Sequence, residues 1–173
     1  MTAALLRYGY RFAIDDYTLL MNDASILAFP LGSTLSQKTF TLIPDIEPLK
    51  APHMRLSDTD AGPWIVNFAD VFPIVEAFKP LKPTHFFFLV PRFGAQSKLE
   101  PCSTEQSLWH LQAARLADRK MIKPLKCASP RHYDMGLSIA GRLIEDAAFF
   151  RVVNGDLGAT AALIAETFNS GRR

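Results

Sequence analysis

The chain has 173 residues, of which 49% are hydrophobic and 21% charged, and a formal net charge of +2. Those proportions exclude a disordered segment, which would be poor in apolar residues and rich in charge, and so small a net charge excludes recognition of nucleic acid or membrane through bulk electrostatics alone. The length suits one domain able to bury a sizeable core, so a single domain over residues 1–173 is expected, strand-rich to about residue 100 and helix-rich from about 101.

In chain order, Tyr8, Tyr10, Phe12 and Ile14 alternate with Gly9, Arg11, Ala13 and Asp15, a period of two that predicts an opening half-buried strand. Asp15 to Met21 reads as a turn or short helix, Ser25 to Leu31 and Lys38 to Ile43 as strands, and the three prolines of Pro44 to Pro52 break regular structure. His53 to Gly62 is polar and loop-like. Trp64, Val66 and Phe68, alternating with Ile65 and Asn67, predict a core strand with apolar residues on both faces. Asp70 and Pro73 introduce a helix over Val71 to Phe78, and His85 to Val90, bounded by prolines, reads as a fully buried strand.

Arg92 to Cys102 is expected to be a loop. Ser103 followed by Gln106 resembles a capping box, and Leu108, Leu111 and Ala114 with Trp109, Ala113 and Leu116 supply the periodicity of the helix it opens. Met121 to Ala128 can pair as a strand, with Pro124 pointing to an edge or a bulge. Asp134 is positioned to cap a helix from Met135 to about Phe150, with Leu137, Ala140, Ile144 and Ala147 on one side, and Asp156 to cap a last one bearing Ala161, Ile164 and Phe168. Strands first and helices later predict an α+β fold with a mixed, mostly antiparallel sheet and helices mainly on one face.

Chemistry-bearing clusters are sparse. Arg131, His132, Tyr133 and Asp134 are the densest polar group; a carboxylate can orient a histidine as a base, but capping alone accounts for Asp134. Cys127, five residues before His132, lacks any nucleophile-elbow context, and Cys102 with Cys127 makes neither a zinc motif nor a disulfide framework, so a reduced pair is expected. His53, Asp58 and Asp60 match no calcium or zinc spacing, Asp15 and Asp16 suit a turn, and the scattered Gly9, Gly32, Gly62 and Gly94 form no phosphate loop. Gly136 and Gly141, inside a predicted helix, are expected to admit the close approach of another element. No cofactor and no metal is therefore expected.

Charge is concentrated in Arg115, Arg119, Lys120, Lys123, Lys126 and Arg131, opposed only by Asp118. Without interleaved aromatics this patch suits a solvated face or an acidic protein partner better than nucleic acid. Thirteen phenylalanines against four tyrosines supply more dry aromatic surface than polar-tipped surface, and part of that surplus is expected at an interface. The first residues lack the basic and apolar regions of a secretory signal, and no apolar run is long enough for a membrane span, so a cytoplasmic location is expected.

Four of these pieces fall in a familiar order: an early strand with an acidic turn (Phe12 to Tyr17); a Gly-Pro-hydrophobic strand (Gly62 to Phe68); a helix with a His-Leu-Arg-like triplet (His110, Leu111, Gln112) within Ser107 to Leu116; and an Arg-x-Tyr-Asp element (Arg131, Tyr133, Asp134). In that order, over roughly residues 8–150, the chain resembles the adaptor chaperones of the bacterial type VI secretion system, which load toxic effectors onto the spike; Gln112 stands where that family has arginine. The resemblance implies a non-enzymatic protein that binds an effector or spike protein. Contacts are expected from Trp109, His110, Arg115, Arg119, Arg131, Tyr133 and Asp134. The alternatives are a small hydrolase or transferase using His132 with Asp134 or Cys127, and an immunity protein that neutralises a toxin.

Overall fold

A computed structural model describes residues 1–13, 19–28, 33–44, 46–47, 63–92, 96–118 and 130–169. Its elements are α1 (Thr2–Leu6), β1 (Leu19–Leu20), β2 (Ile26–Leu27), β3 (Ser33–Leu35), α2 (Gln37–Leu42), β4 (Trp64–Val66), β5 (Pro80–Leu81), β6 (His85–Pro91), β7 (Lys98–Pro101), α3 (Thr104–Asp118), α4 (Pro130–Asp146), β8 (Ala148–Asn154) and α5 (Leu157–Asn169). The class is α+β, as expected from the sequence. The chain divides into two compact units, one of Met1–Leu19, Leu27–Pro80 and Ile164–Arg173, the other of Leu20–Ile26 and Leu81–Leu163, so each draws on both halves of the sequence.

In the first unit the chain opens with a helix, not a strand. Ala3, Ala4 and Leu6 are buried along α1, and Gly9, at φ +83°, takes the left-handed conformation that stops a helix at little steric cost. Of the described residues of the alternating stretch, only Phe12 pairs, as a single parallel bridge to Ile74, and its ring stands edge-on to Phe68 with centroids 5.1 Å apart. The predicted helix over Val71 to Phe78 is replaced by that bridge, with only a 3-10 turn at Phe68–Asp70 capped by Asn67. Lys38 to Ile43, expected to be extended, falls mostly in α2, because the Ser36 hydroxyl accepts the Thr39 N–H (3.3 Å) and turns the chain into a helix. Helix α2 buries Phe40 edge-on to Trp64, on the strand that pairs antiparallel with β3.

The second unit is built on the order β6-β8-β7, with β6 and β8 parallel and β7 antiparallel to β8. Two of these strands were not expected. Lys98–Pro101 forms β7 where a loop was predicted. Helix α4 stops at Asp146, and Ala148–Asn154 turns extended in place of the predicted helix to Phe150, because Phe149, Val152 and Val153 are buried by pairing on both sides of β8. Strand β6 is half-buried, not fully so, with Leu89 exposed. Ala24, Ile139, Leu143 and Phe149 form the core, with Phe86, Phe88, Cys102, Leu111, Ile144 and Ala147 packed against it. The apolar stripe of α4 therefore centres on Ile139 and Leu143, while Leu137 is exposed. Ala24 enters this core at φ 63° from a tight turn in which Met21 N–H donates to the Ser25 carbonyl (2.9 Å), and Arg142 donates to the Asn22 carbonyl from α4 (2.9 Å).

The predicted caps of α3 and α5 are present. Gln106 N–H donates to Ser103 Oγ (3.2 Å) and Ser103 N–H to Gln106 Oε1 (3.0 Å), a reciprocal box at the start of α3. Ala159 N–H donates to Asp156 Oδ1 (2.8 Å) at the start of α5. The buried Thr160 hydroxyl lies within hydrogen-bond distance of Ser97 Oγ (2.7 Å), the Asp156 carbonyl (2.7 Å) and Asn154 Oδ1 (3.0 Å), fixing the first turn of α5 beside the end of β8.

Candidate functional site

Within the second unit, a cleft of about 360 Å³ opens between the sheet and the first turns of α3, lined by Val90, Glu100, Pro101, Cys102, Gln106, Trp109, His110 and Arg151. Its floor follows from strand register. Glu100 on β7 lies directly opposite Arg151 on β8, and Phe88 on β6 lies opposite Arg151 from the other side, so the three share one row across the sheet. Arg151 Nε donates to Glu100 Oε2 at 2.8 Å, with Nη2 on the same oxygen, while Lys98 Nζ pairs with Glu100 Oε1. The ammonium of Lys98 first, then the guanidinium of Arg151, hold the Glu100 carboxyl below its ordinary value, so it is a carboxylate.

The wall of the cleft is α3, and its aromatic pair is placed by the helix repeat. With Ser107 buried and Leu111 packed one turn later against the core, His110 lands over the sheet, stacked on Phe88 with centroids 4.3 Å apart and planes at 20°. Phe88 in turn faces Phe149 at 5.9 Å, and Phe149 stacks on Phe86 at 4.7 Å. Trp109, one residue earlier, continues the row outward, edge-on to His110 at 5.1 Å and 77°, and remains 65% exposed. Five rings thus run from the core to a tryptophan standing in solvent.

Cys102 carries a free thiol on this lining, and its N–H donates to the Phe149 carbonyl (2.8 Å). Burial pushes the thiol above its ordinary value. It is therefore a thiol at neutral pH and a poor nucleophile. A second hollow in the same unit, about 160 Å³, is lined by Asp23, Ala24, Lys82, Pro83, Thr84, Leu143 and Asp146. There Lys82 and Asp146 pair at 3.8 Å, and Ser25 holds the Asp23 carboxyl below its ordinary value through its hydroxyl and its N–H.

Of the residues singled out in the sequence, Trp109 and His110 come together on the cleft. Arg115 lies farther along α3, in a stretch whose side chains are outside those described, and Arg119 is outside the described residues. Arg131, Tyr133 and Asp134 fall in the first turns of α4, again without described side chains. The helix begins at Pro130, so Asp134 lies inside it and is not its cap; a proline is suited to the first helical position because its missing N–H would be unpaired there. Positions 132 and 134 fall two residues apart in this one helix.

Cys127, the other basic-patch residues Lys120, Lys123 and Lys126, the predicted strand Met121 to Ala128, the acidic turn Asp15 and Asp16, and His53, Asp58 and Asp60 lie outside the described residues. Among the described residues, a Cβ at Gly141 would meet nothing within 4 Å, so none of them requires that glycine, contrary to expectation. The Glu100–Arg151 pair was missed because its members lie in segments read as a loop and a helix; the β-branched and aromatic run Phe149 to Val153 was the signal available.

Among the described residues, no group of three or more His, Cys, Asp or Glu is placed to hold a metal ion, and no helix is long and apolar enough to cross a membrane. Comparison of the chain with family models, with curated proteins and with solved structures gives no match.

Proposed function

We propose that this chain is a non-enzymatic, cytoplasmic adaptor that binds a secreted effector, a spike protein or both for type VI secretion, using the cleft beside α3. The observation that carries the reading is Trp109, a large ring 65% exposed, oriented by contact with His110 at the edge of a hollow. Tryptophan is among the residues most enriched where partner binding energy concentrates, and its apolar surface gains about 25 cal/mol per Å² when a partner covers it. The order of sequence elements that resembles the spike-loading adaptors points the same way, as does the protonated Cys102 thiol, which suits a surface that binds better than one that attacks.

Affinity capture with the full chain from a lysate of type VI-competent bacteria tests the reading. Wild-type protein is expected to retain an effector or spike component, and Trp109→Ala to lose it. Retention of neither class, or equal retention by Trp109→Ala, refutes it. An immunity protein would retain only a toxin and suppress its activity.

A further inference from the structure

The polar chemistry of the cleft is one-sided, and we propose that it receives a carboxylate-bearing segment of the partner, an acidic side chain adjoining an apolar one. This deepens the adaptor reading and rests on it. Among the described lining residues Glu100 is the one carboxylate, and both its oxygens are already engaged, Oε1 by Lys98 and Oε2 by Arg151. Two cations around one carboxylate leave a surplus positive charge beside the cleft. The groups left over are donors: Arg151 Nη1, the Gln106 amide nitrogen (its Oε1 being used by the Ser103 N–H), and a ring nitrogen of His110.

A guanidinium already held in its plane by Glu100 has lost its side-chain freedom before a ligand arrives, which lowers the entropic cost of a further bond to a carboxylate. Val90, Pro101 and Trp109 supply the apolar part of the same lining, so an isolated small anion would leave it in water, whereas an acidic residue next to an apolar one uses both. Charge complementarity thus selects a protein segment of acidic and apolar composition over a basic one.

The test follows the Trp109 indole N–H resonance in nitrogen-15-labelled full-length protein, identified by Trp109→Phe, during titration with short capped peptides. The peptides alternate leucine with glutamate, glutamine or lysine. The glutamate peptide is expected to shift the Trp109 signal and leave that of the buried Trp64, and to bind about tenfold more tightly than the glutamine peptide. Arg151→Gln, which leaves Glu100 paired with Lys98, is expected to bring the two affinities to within about twofold. Equal affinity for the glutamate and glutamine peptides, preference for lysine, or no response overturns the proposal. Selectivity for glutamate without capture of an effector or spike protein leaves the carboxylate site standing and removes the adaptor reading; capture lost in Trp109→Ala without that selectivity does the reverse.

Discussion

Replacing Phe149 by alanine and, separately, Trp109 by alanine is expected to divide the aromatic row into a part that holds the fold and a part that does not. Phe149 is 6% exposed and stacked between Phe86 at 4.7 Å and Phe88 at 5.9 Å. Truncating a buried phenylalanine costs about 3–5 kcal/mol. The upper half of that range is expected here, since two ring contacts, each worth roughly 0.5–1.5 kcal/mol beyond area, are lost together. Against a total stability of about 5–15 kcal/mol, such a loss is a large share. Among the described residues Trp109 makes one ring contact, edge-on, and it is mostly exposed, so its removal is expected to cost less than about 1 kcal/mol. Urea unfolding followed by far-ultraviolet circular dichroism reads both variants on one scale, which fluorescence does not once one of two tryptophans is gone. If Trp109→Ala is as destabilising as Phe149→Ala, Trp109 serves the fold and the argument for it as a partner anchor fails. If Phe149→Ala costs less than about 1 kcal/mol, the ring row is not the core of its unit.

Four further outcomes are expected. Ser103→Ala removes half of the capping box of α3 and is expected to cost about 1 kcal/mol in the same urea measurement. Gly141→Ala, entering open space within α4, is expected to stabilise by about 0.5–1 kcal/mol, and a loss of stability would show that the glycine has a neighbour. Because the Glu100 carboxyl lies lower in the folded chain than its ordinary 4.5, the unfolded chain binds more protons on acidification. The contribution of Glu100 is then fully present above about 4.5 and lost as pH falls through its lower folded value; Glu100→Gln is expected to flatten the fall in Tm across that window, and an unchanged profile would remove the argument. Cys102, with its thiol pushed up by burial, is expected to react with iodoacetamide more slowly than free cysteine at mildly alkaline pH, read by mass spectrometry in a Cys127→Ser background; faster reaction would reverse its assignment as a poor nucleophile.

Local signals were legible where the chain makes its own decision. The Ser103/Gln106 box and the Asp156 cap are satisfied within three residues, and both helices begin where those residues require. The strands at Trp64 and His85 are marked by density of apolar side chains. One failure occurred where a partner distant in sequence decides, and two where one local signal outweighed another. Phe149 to Val153 follows a helix after two intervening residues, without glycine or proline, and only pairing with β6 and β7 makes it extended. Period two at Tyr8 to Ile14 misled because Gly9 serves a helix end, and Lys38 to Ile43 because the Ser36 cap outweighed an alternation in β-branched residues. Half the candidate site was visible in the same way. Trp109 and His110 sit on a helix that the sequence announces, whereas the Glu100–Arg151 floor exists only once three strands are in register.

The parallel pairing of β6 with β8 carries a consequence for how the protein is made. Phe86, Phe87 and Phe88 leave the ribosome well before the residues that pair with them, Phe149, Phe150 and Arg151, which lie about 60 residues later in the chain. At roughly 5–20 residues per second, that leaves several seconds in which an apolar, proline-bounded segment has no strand to lie beside. During that interval it is sticky toward other nascent chains. Slowing translation between β6 and β8 would lengthen the exposure, and yield of intact protein would then depend on synthesis rate and on holding chaperones more than on the final free energy of the fold.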